Sequence, residues 1–194
     1  MHFPKCAGSF TEKLLKRYFL EDPHISFDKI DPSNVIWHQN VAKREKTSNV
    51  DLSGKSVICN FRRLPYWIIS RINFEASRSG VIVPREMYIE GRFFEMNGKE
   101  SYADKYLARY TERKVDHWIR VEYLQEDFFH AFSNYLDVRT IINPSCFKET
   151  VNVSMGESSL GRWFNNKEIT LLYASNPKWT ELENELYGNL LNGN

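Results

Sequence analysis

What this chain lacks narrows its chemistry before any motif is considered. Its 194 residues include only three cysteines, Cys6, Cys59 and Cys146, set far apart. That spacing spells neither a zinc knuckle nor a redox pair, and an odd number of cysteines reads as free thiols. No apolar run is long enough to cross a bilayer and no charged-then-apolar leader opens the chain, so a reducing, cytoplasmic compartment is expected. Net charge is scarce as well. With 26 basic against 25 acidic residues the balance is +1, which supplies no global field for nucleic acid. Clustered Asp or His residues of a metal centre are missing, and so is the Gly-x4-Gly-Lys-Ser/Thr loop of a Walker motif. What is present suffices for one substantial core: 42% of the residues are hydrophobic and 14% aromatic, so a single domain over residues 1–194 is expected.

The most informative stretch lies at the start, where His2-Phe3-Pro4-Lys5-Cys6-Ala7-Gly8-Ser9-Phe10-Thr11 runs into Glu12-Lys13-Leu14-Leu15-Lys16-Arg17-Tyr18-Phe19. Leu14, Leu15, Tyr18 and Phe19 recur at helical spacing, with Lys13, Lys16 and Arg17 on the wetter side. Ahead of that helix, Gly8 permits a tight turn with inward amides, Lys5 brings a mobile positive charge, and Ser9 and Thr11 add hydroxyls. These are the parts of an anion cradle at a helix N-terminus. A simple capping turn is the competing account of the same residues.

A second constellation follows a compact apolar run. Ser56-Val57-Ile58-Cys59-Asn60-Phe61 has the composition of a buried parallel strand, and it ends directly in Arg62-Arg63-Leu64-Pro65 before a helical stretch over Tyr66–Phe74 containing Ser70. Ligands of open α/β sheets sit beyond the carboxyl ends of strands, where this arginine pair emerges. A surface arginine pair and an internally bonded helical serine form the bland alternative. Between the two constellations, Asn34–Asn40 carries His38, a turn or half-buried core residue by itself.

Pro4-Lys5-Cys6-Ala7-Gly8-Ser9 resembles the phosphosulfate-binding loop of the sulfotransferases, whose usual form is Pro-Lys-x-Ala/Gly-Gly-Thr/Ser-Thr/Ser. The resemblance implies that Lys5, Cys6, Ala7, Gly8, Ser9, Phe10 and Thr11 hold the phosphosulfate end of 3′-phosphoadenosine 5′-phosphosulfate. Phe10 departs from the pattern where a hydroxyl residue is usual, leaving Thr11 or backbone amides to replace it. The second motif of that family is a strand, Arg-x-Pro, and a serine eight residues after the arginine, which together grip the 3′-phosphate. Arg62 with Ser70 satisfies the serine spacing, while Arg63 with Pro65 satisfies the proline spacing. Arg62 is preferred, because the phosphate contacts require the arginine and serine side chains whereas the proline only shapes the turn.

Further matches follow in order: Glu122, Leu124, Glu126, Asp127 and Leu136 as scaffold, and Lys148 to Ser154 as the late Asn-x-Ser segment, with Lys148 placed to shield a bound phosphate. Val115–Leu124 reads as a strand and Asp127–Leu136 as a helix packed on it. Ser101–Glu112 reads as a helix, and Tyr88, Phe93 and Phe94 as core packing or, in an enzyme, an acceptor wall. The late aromatics and leucines, Trp179, Leu182, Leu186 and Tyr187, mark one face of a closing helix.

The implied fold is an α/β three-layer sandwich with a central parallel sheet, like that of P-loop nucleoside triphosphate hydrolases. The implied activity is transfer of a sulfuryl group to an acceptor hydroxyl, with a carbohydrate or small molecule as partner, Lys5 and His38 as catalytic residues and no metal. Within such an enzyme a histidine near its ordinary pKa of about 6.5 is a suitable base. A P-loop-like nucleotide kinase and a non-catalytic domain binding sulfated or phosphorylated partners are the alternatives.

Overall fold

A computed structural model describes residues 1–27, 38–48, 51–95, 97–148 and 160–191. In chain order its elements begin with α1 (Gly8–Phe19), α2 (Val41–Ser48), β1 (Ile58–Phe61), α3 (Leu64–Ser79) and α4 (Arg85–Tyr88). Next come β2 (Arg92–Phe94), β3 (Glu100–Tyr102), α5 (Ala103–Ala108), β4 (His117–Arg120), α6 (Leu124–Phe132) and α7 (Val138–Ile141). The chain closes with α8 (Leu160–Trp163), α9 (Asn166–Ala174) and α10 (Pro177–Tyr187). The protein is therefore mixed α/β, and its parallel sheet, among the described residues, has two strands.

The chain divides into two compact units. The first comprises Met1–Phe61 and Glu112–Asn152, the second Arg62–Thr111 and Val153–Asn194. In the first, β1 and β4 pair in parallel, Ile58 opposite His117 and Phe61 opposite Arg120. Cys59, Asn60 and Phe61 are buried, as the apolar run predicts for a parallel strand. The buried amide of Asn60 donates to Thr11 Oγ1 at 3.0 Å, fastening β1 to α1. Phe10, Leu14 and Phe19 of α1 share a core with Ile119 of β4 and Phe128, Phe129 and Ala131 of α6. The strand expected over Val115–Leu124 is confined to β4 and then tightens into a 3₁₀ turn over Val121–Tyr123. Asp127 explains the stop: its carboxylate accepts from the Arg120 amide at 2.8 Å and from Nε of the same residue at 2.7 Å, so the chain is pulled into α6.

The second unit is built around α3, which extends past the predicted stretch to a left-handed Gly80 cap. Trp67 of α3 packs edge-on to Phe93, ring centroids 5.3 Å apart, and lies 4.7 Å from Trp179 of α10. Tyr88 and Phe93 are buried, so core packing is their role and neither side chain is left for an acceptor wall. The helix expected over Ser101–Glu112 starts later, because Ser101 and Tyr102 pair in antiparallel with β2, Ser101 inward and Tyr102 outward. No helix among the described residues is long and apolar enough to cross a membrane.

Candidate functional site

In the first unit, the loop before α1 has the backbone of an anion cradle. Lys5 and Ala7 both have positive φ, 68° and 57°, a left-handed conformation that costs a residue with a side chain about 1–2 kcal/mol. Alternation of this kind turns successive amides to one side. Ala7 is the residue capping α1, and no side chain caps the helix. The amide of Cys6 is paired with the Phe3 carbonyl, and those of Phe10 and Thr11 return to the Ala7 carbonyl. Those of Ala7, Gly8 and Ser9 take no partner among the described residues. Three amides without a partner among the described residues, the positive end of a helix of 12 residues and the Lys5 ammonium thus occur in one turn.

The side chains of this loop correct the sequence reading in part. Cys6 is fully buried and Phe10 belongs to the core of the unit, so the position at which the sulfotransferase pattern has a hydroxyl serves packing. Thr11 does not stand in for it. Its hydroxyl is buried, accepts from Asn60 and donates to the Ala7 carbonyl at 3.4 Å. Ser9 is the exposed hydroxyl of the turn. What the loop offers an anion is therefore backbone amides, Lys5 and Ser9.

His38 lies beside this loop through a residue that sequence reasoning passed over. The rings of His2 and His38 are tilted by 47° with centroids 4.6 Å apart. His2 packs in turn on Gly8: a Cβ at that glycine would lie 1.9 Å from His2 Cδ2. Burial pushes the pKa of His2 down to about 3, with His38, the amino terminus and Lys5 adding positive potential in the same direction. His2 is therefore neutral at physiological pH. The missed signal was its place two residues before the Pro-Lys of the loop.

Lys148 is exposed at the end of a 3₁₀ turn over Pro144–Lys148. The Asn152 and Ser154 match that follows it lies outside the described residues. His117 is half-buried with its Nε2 3.4 Å from the Tyr135 hydroxyl, a packing role rather than a catalytic one. Glu122 is exposed. Among the described residues, no group of three or more His, Cys, Asp or Glu side chains is arranged to hold a metal ion.

In the second unit, the arginine pair splits into two roles. Arg63 is buried, stacks 4.1 Å over the Tyr187 ring, pairs with Glu183 at 3.3 Å and donates to the carbonyl and side-chain oxygens of Asn189. Glu183, a fully buried carboxylate, also accepts from the Tyr173 hydroxyl and from the first amide of α3, Leu64, both at 2.7 Å. Burial first, then the neighbouring Glu183 charge, raises the Tyr173 pKa well above the ordinary phenol value. This network consumes Arg63 and caps α3, as a pure scaffold would. Arg62 is the half-buried member of the pair, and its carbonyl accepts from Trp179 Nε1 at 3.3 Å. Ser70 is buried midway along α3. Arg63 is thereby committed to the fold.

Compared with protein-family models, characterised proteins and solved structures, the chain matches none of them.

Proposed function

We propose that the protein is a sulfotransferase that uses 3′-phosphoadenosine 5′-phosphosulfate as donor and a hydroxyl as acceptor, the carbohydrate class being the one the resemblance implies. The observation that carries this reading is the strained turn at Lys5–Ser9, whose amides of Ala7, Gly8 and Ser9 have no partner among the described residues at the head of α1. Those groups suit a phosphosulfate: they are fixed, aimed by the backbone, and cost no reorganisation when charge develops. The finer architecture that accompanies the proposal is a three-layer α/β sandwich of the P-loop type.

The donor supplies the sulfuryl group: its sulfur–oxygen bond to phosphate breaks as a new one forms to the acceptor oxygen, and the acceptor proton leaves. Lys5 and the loop amides stabilise the oxygens that gain charge, and the hydroxyl of Ser9 adds one more donor. His38 takes the proton, which its place beside the loop favours. Arg62 and Ser70 hold the 3′-phosphate, and Lys148 shields bound phosphate, as the resemblance assigns them.

Calorimetric titration with 3′-phosphoadenosine 5′-phosphate, ATP and AMP tests the proposal. The bisphosphate should bind far more tightly than the other two. Arg62→Ala should weaken it at least about tenfold, the worth of one charge-assisted phosphate contact. Comparable affinity for ATP would overturn the sulfotransferase reading in favour of a nucleotide kinase. Given binding, His38→Ala should keep that affinity and lower turnover by roughly 10²- to 10⁴-fold.

A further inference from the structure

Gly8 differs from four of the positive-φ glycines of this protein in what it is for. Gly54, Gly80, Gly98 and Gly188 have positive φ, and a Cβ on any of them would meet nothing within 4 Å. Those four serve the backbone. Gly8 opens α1, and a Cβ there would lie 1.9 Å from His2 Cδ2, 2.4 Å from Nε2 and 2.6 Å from Cγ. No real contact is that short, so the missing side chain makes room for an imidazole. The same ring also meets His38, whose ring centroid is 4.6 Å away.

We infer that His2 is a positioning residue, a spacer between Gly8 and His38 that sets the His38 imidazole against the amide loop. The inference rests on the reading of that loop as the donor site and of His38 as the base, and it adds the residue that joins the two. His2 is half-buried, but its Nδ1 is buried with no hydrogen-bond partner among the described residues, a costly choice for packing alone, by about 1–3 kcal/mol for an unsatisfied polar atom. The ring is nevertheless suited to the task. Two imidazoles side by side with an ammonium nearby tolerate little added charge, and His2 stays neutral across the physiological range. Proximity also makes the consequence large, because displacing a base by about 1 Å is worth up to roughly 10² in rate.

The test compares the parent with His2→Ala, His2→Phe and Gly8→Ala, each labelled on histidine for ring resonances, with His38→Ala to assign the His38 signals. His2→Ala should shift the His38 ring signals and lower sulfuryl turnover by about 10- to 100-fold. Bisphosphate affinity should stay within about twofold, a split that a general loss of structure would not give. His2→Phe keeps a ring in the space and should recover most of both readouts. Gly8→Ala, whose methyl group evicts the ring, should reproduce the His2→Ala shifts. If His2→Ala does not fold, His2→Leu takes its place. Unchanged His38 signals in a folded variant lacking the ring would overturn the inference. Absence of bisphosphate binding by the parent would instead overturn the donor site, and the ring signals would still decide whether His2 sets His38.

Discussion

The turn at Lys5–Ser9 and the turn at Arg63-Leu64 both open helices, and they treat their polar groups in opposite ways. At α3 the first amide is given to the Glu183 carboxylate, which also takes the Arg63 guanidinium and the Tyr173 hydroxyl. At α1 the amides of Ala7, Gly8 and Ser9 have no partner among the described residues, and two side-chain-bearing residues sit at positive φ. Complete pairing identifies the first as scaffold: a buried charge survives only when its lone pairs are met. Unpaired donors and retained strain mark the second as a place where something other than stability decides the conformation.

The largest expected effect attacks the paired turn. Glu183→Ala leaves the Arg63 guanidinium buried without its carboxylate and uncaps α3, so chemical denaturation should show a loss of about 3–5 kcal/mol. A loss below about 1 kcal/mol would erase the contrast between the two turns.

Acid should act on the other turn. Because burial lowers the His2 pKa from 6.5 to about 3, the unfolded chain binds a proton in that interval that the folded chain refuses. Its contribution to stability is complete above pH 6.5 and is lost as the pH falls toward 3, with a slope of at most about 1.4 kcal/mol per pH unit. Carboxylates titrate over part of the same range, so the measurement is the difference between parent and His2→Phe in denaturation midpoints from pH 7 to pH 4. That difference should narrow the parent's advantage, or widen its deficit, as the pH drops. A constant difference would mean that the His2 imidazole is not held neutral by its surroundings.

The smallest effect sharpens the notion of retained strain. Ala7→Gly removes the left-handed penalty and should stabilise the protein by about 1 kcal/mol, less whatever entropy the unfolded chain gains. Bisphosphate affinity should be nearly unchanged, since in the proposed donor site the amides and not the methyl group would meet the anion.

Much of this was legible locally. α1, α3 and α10 follow from helical spacing, and β1 from an uninterrupted apolar run, because these periodicities record which face is buried wherever the partner lies. The loop was found from Lys5, Gly8 and Ser9 as residue types. The structural commitment of Arg63 was not legible in spacing. It turns on Glu183 and Asn189, each more than a hundred residues downstream. Likewise the apolar face drawn for α10 through Leu182 and Leu186 overlooked Glu183, which is fully buried where both leucines are only half-buried. A buried carboxylate is recognised by its partners, and those are set by tertiary structure.

His2 and Gly8 divide the same way. By itself the sequence determined that residues 2–19 hold a turn rich in donors leading into a helix, since glycine, lysine and hydroxyl residues have those properties in any context. It also determined the buried strand and the apolar faces. Only the tertiary structure decided that Gly8 is small for the sake of an imidazole, that Phe10 and Thr11 turn inward to the core and to Asn60, and that His38 comes beside the loop. The physical reason is range. Conformational preference and hydrophobic period act over a few neighbouring residues, whereas steric exclusion at a Cβ and the pairing of buried polar atoms depend on groups brought together from distant parts of the chain.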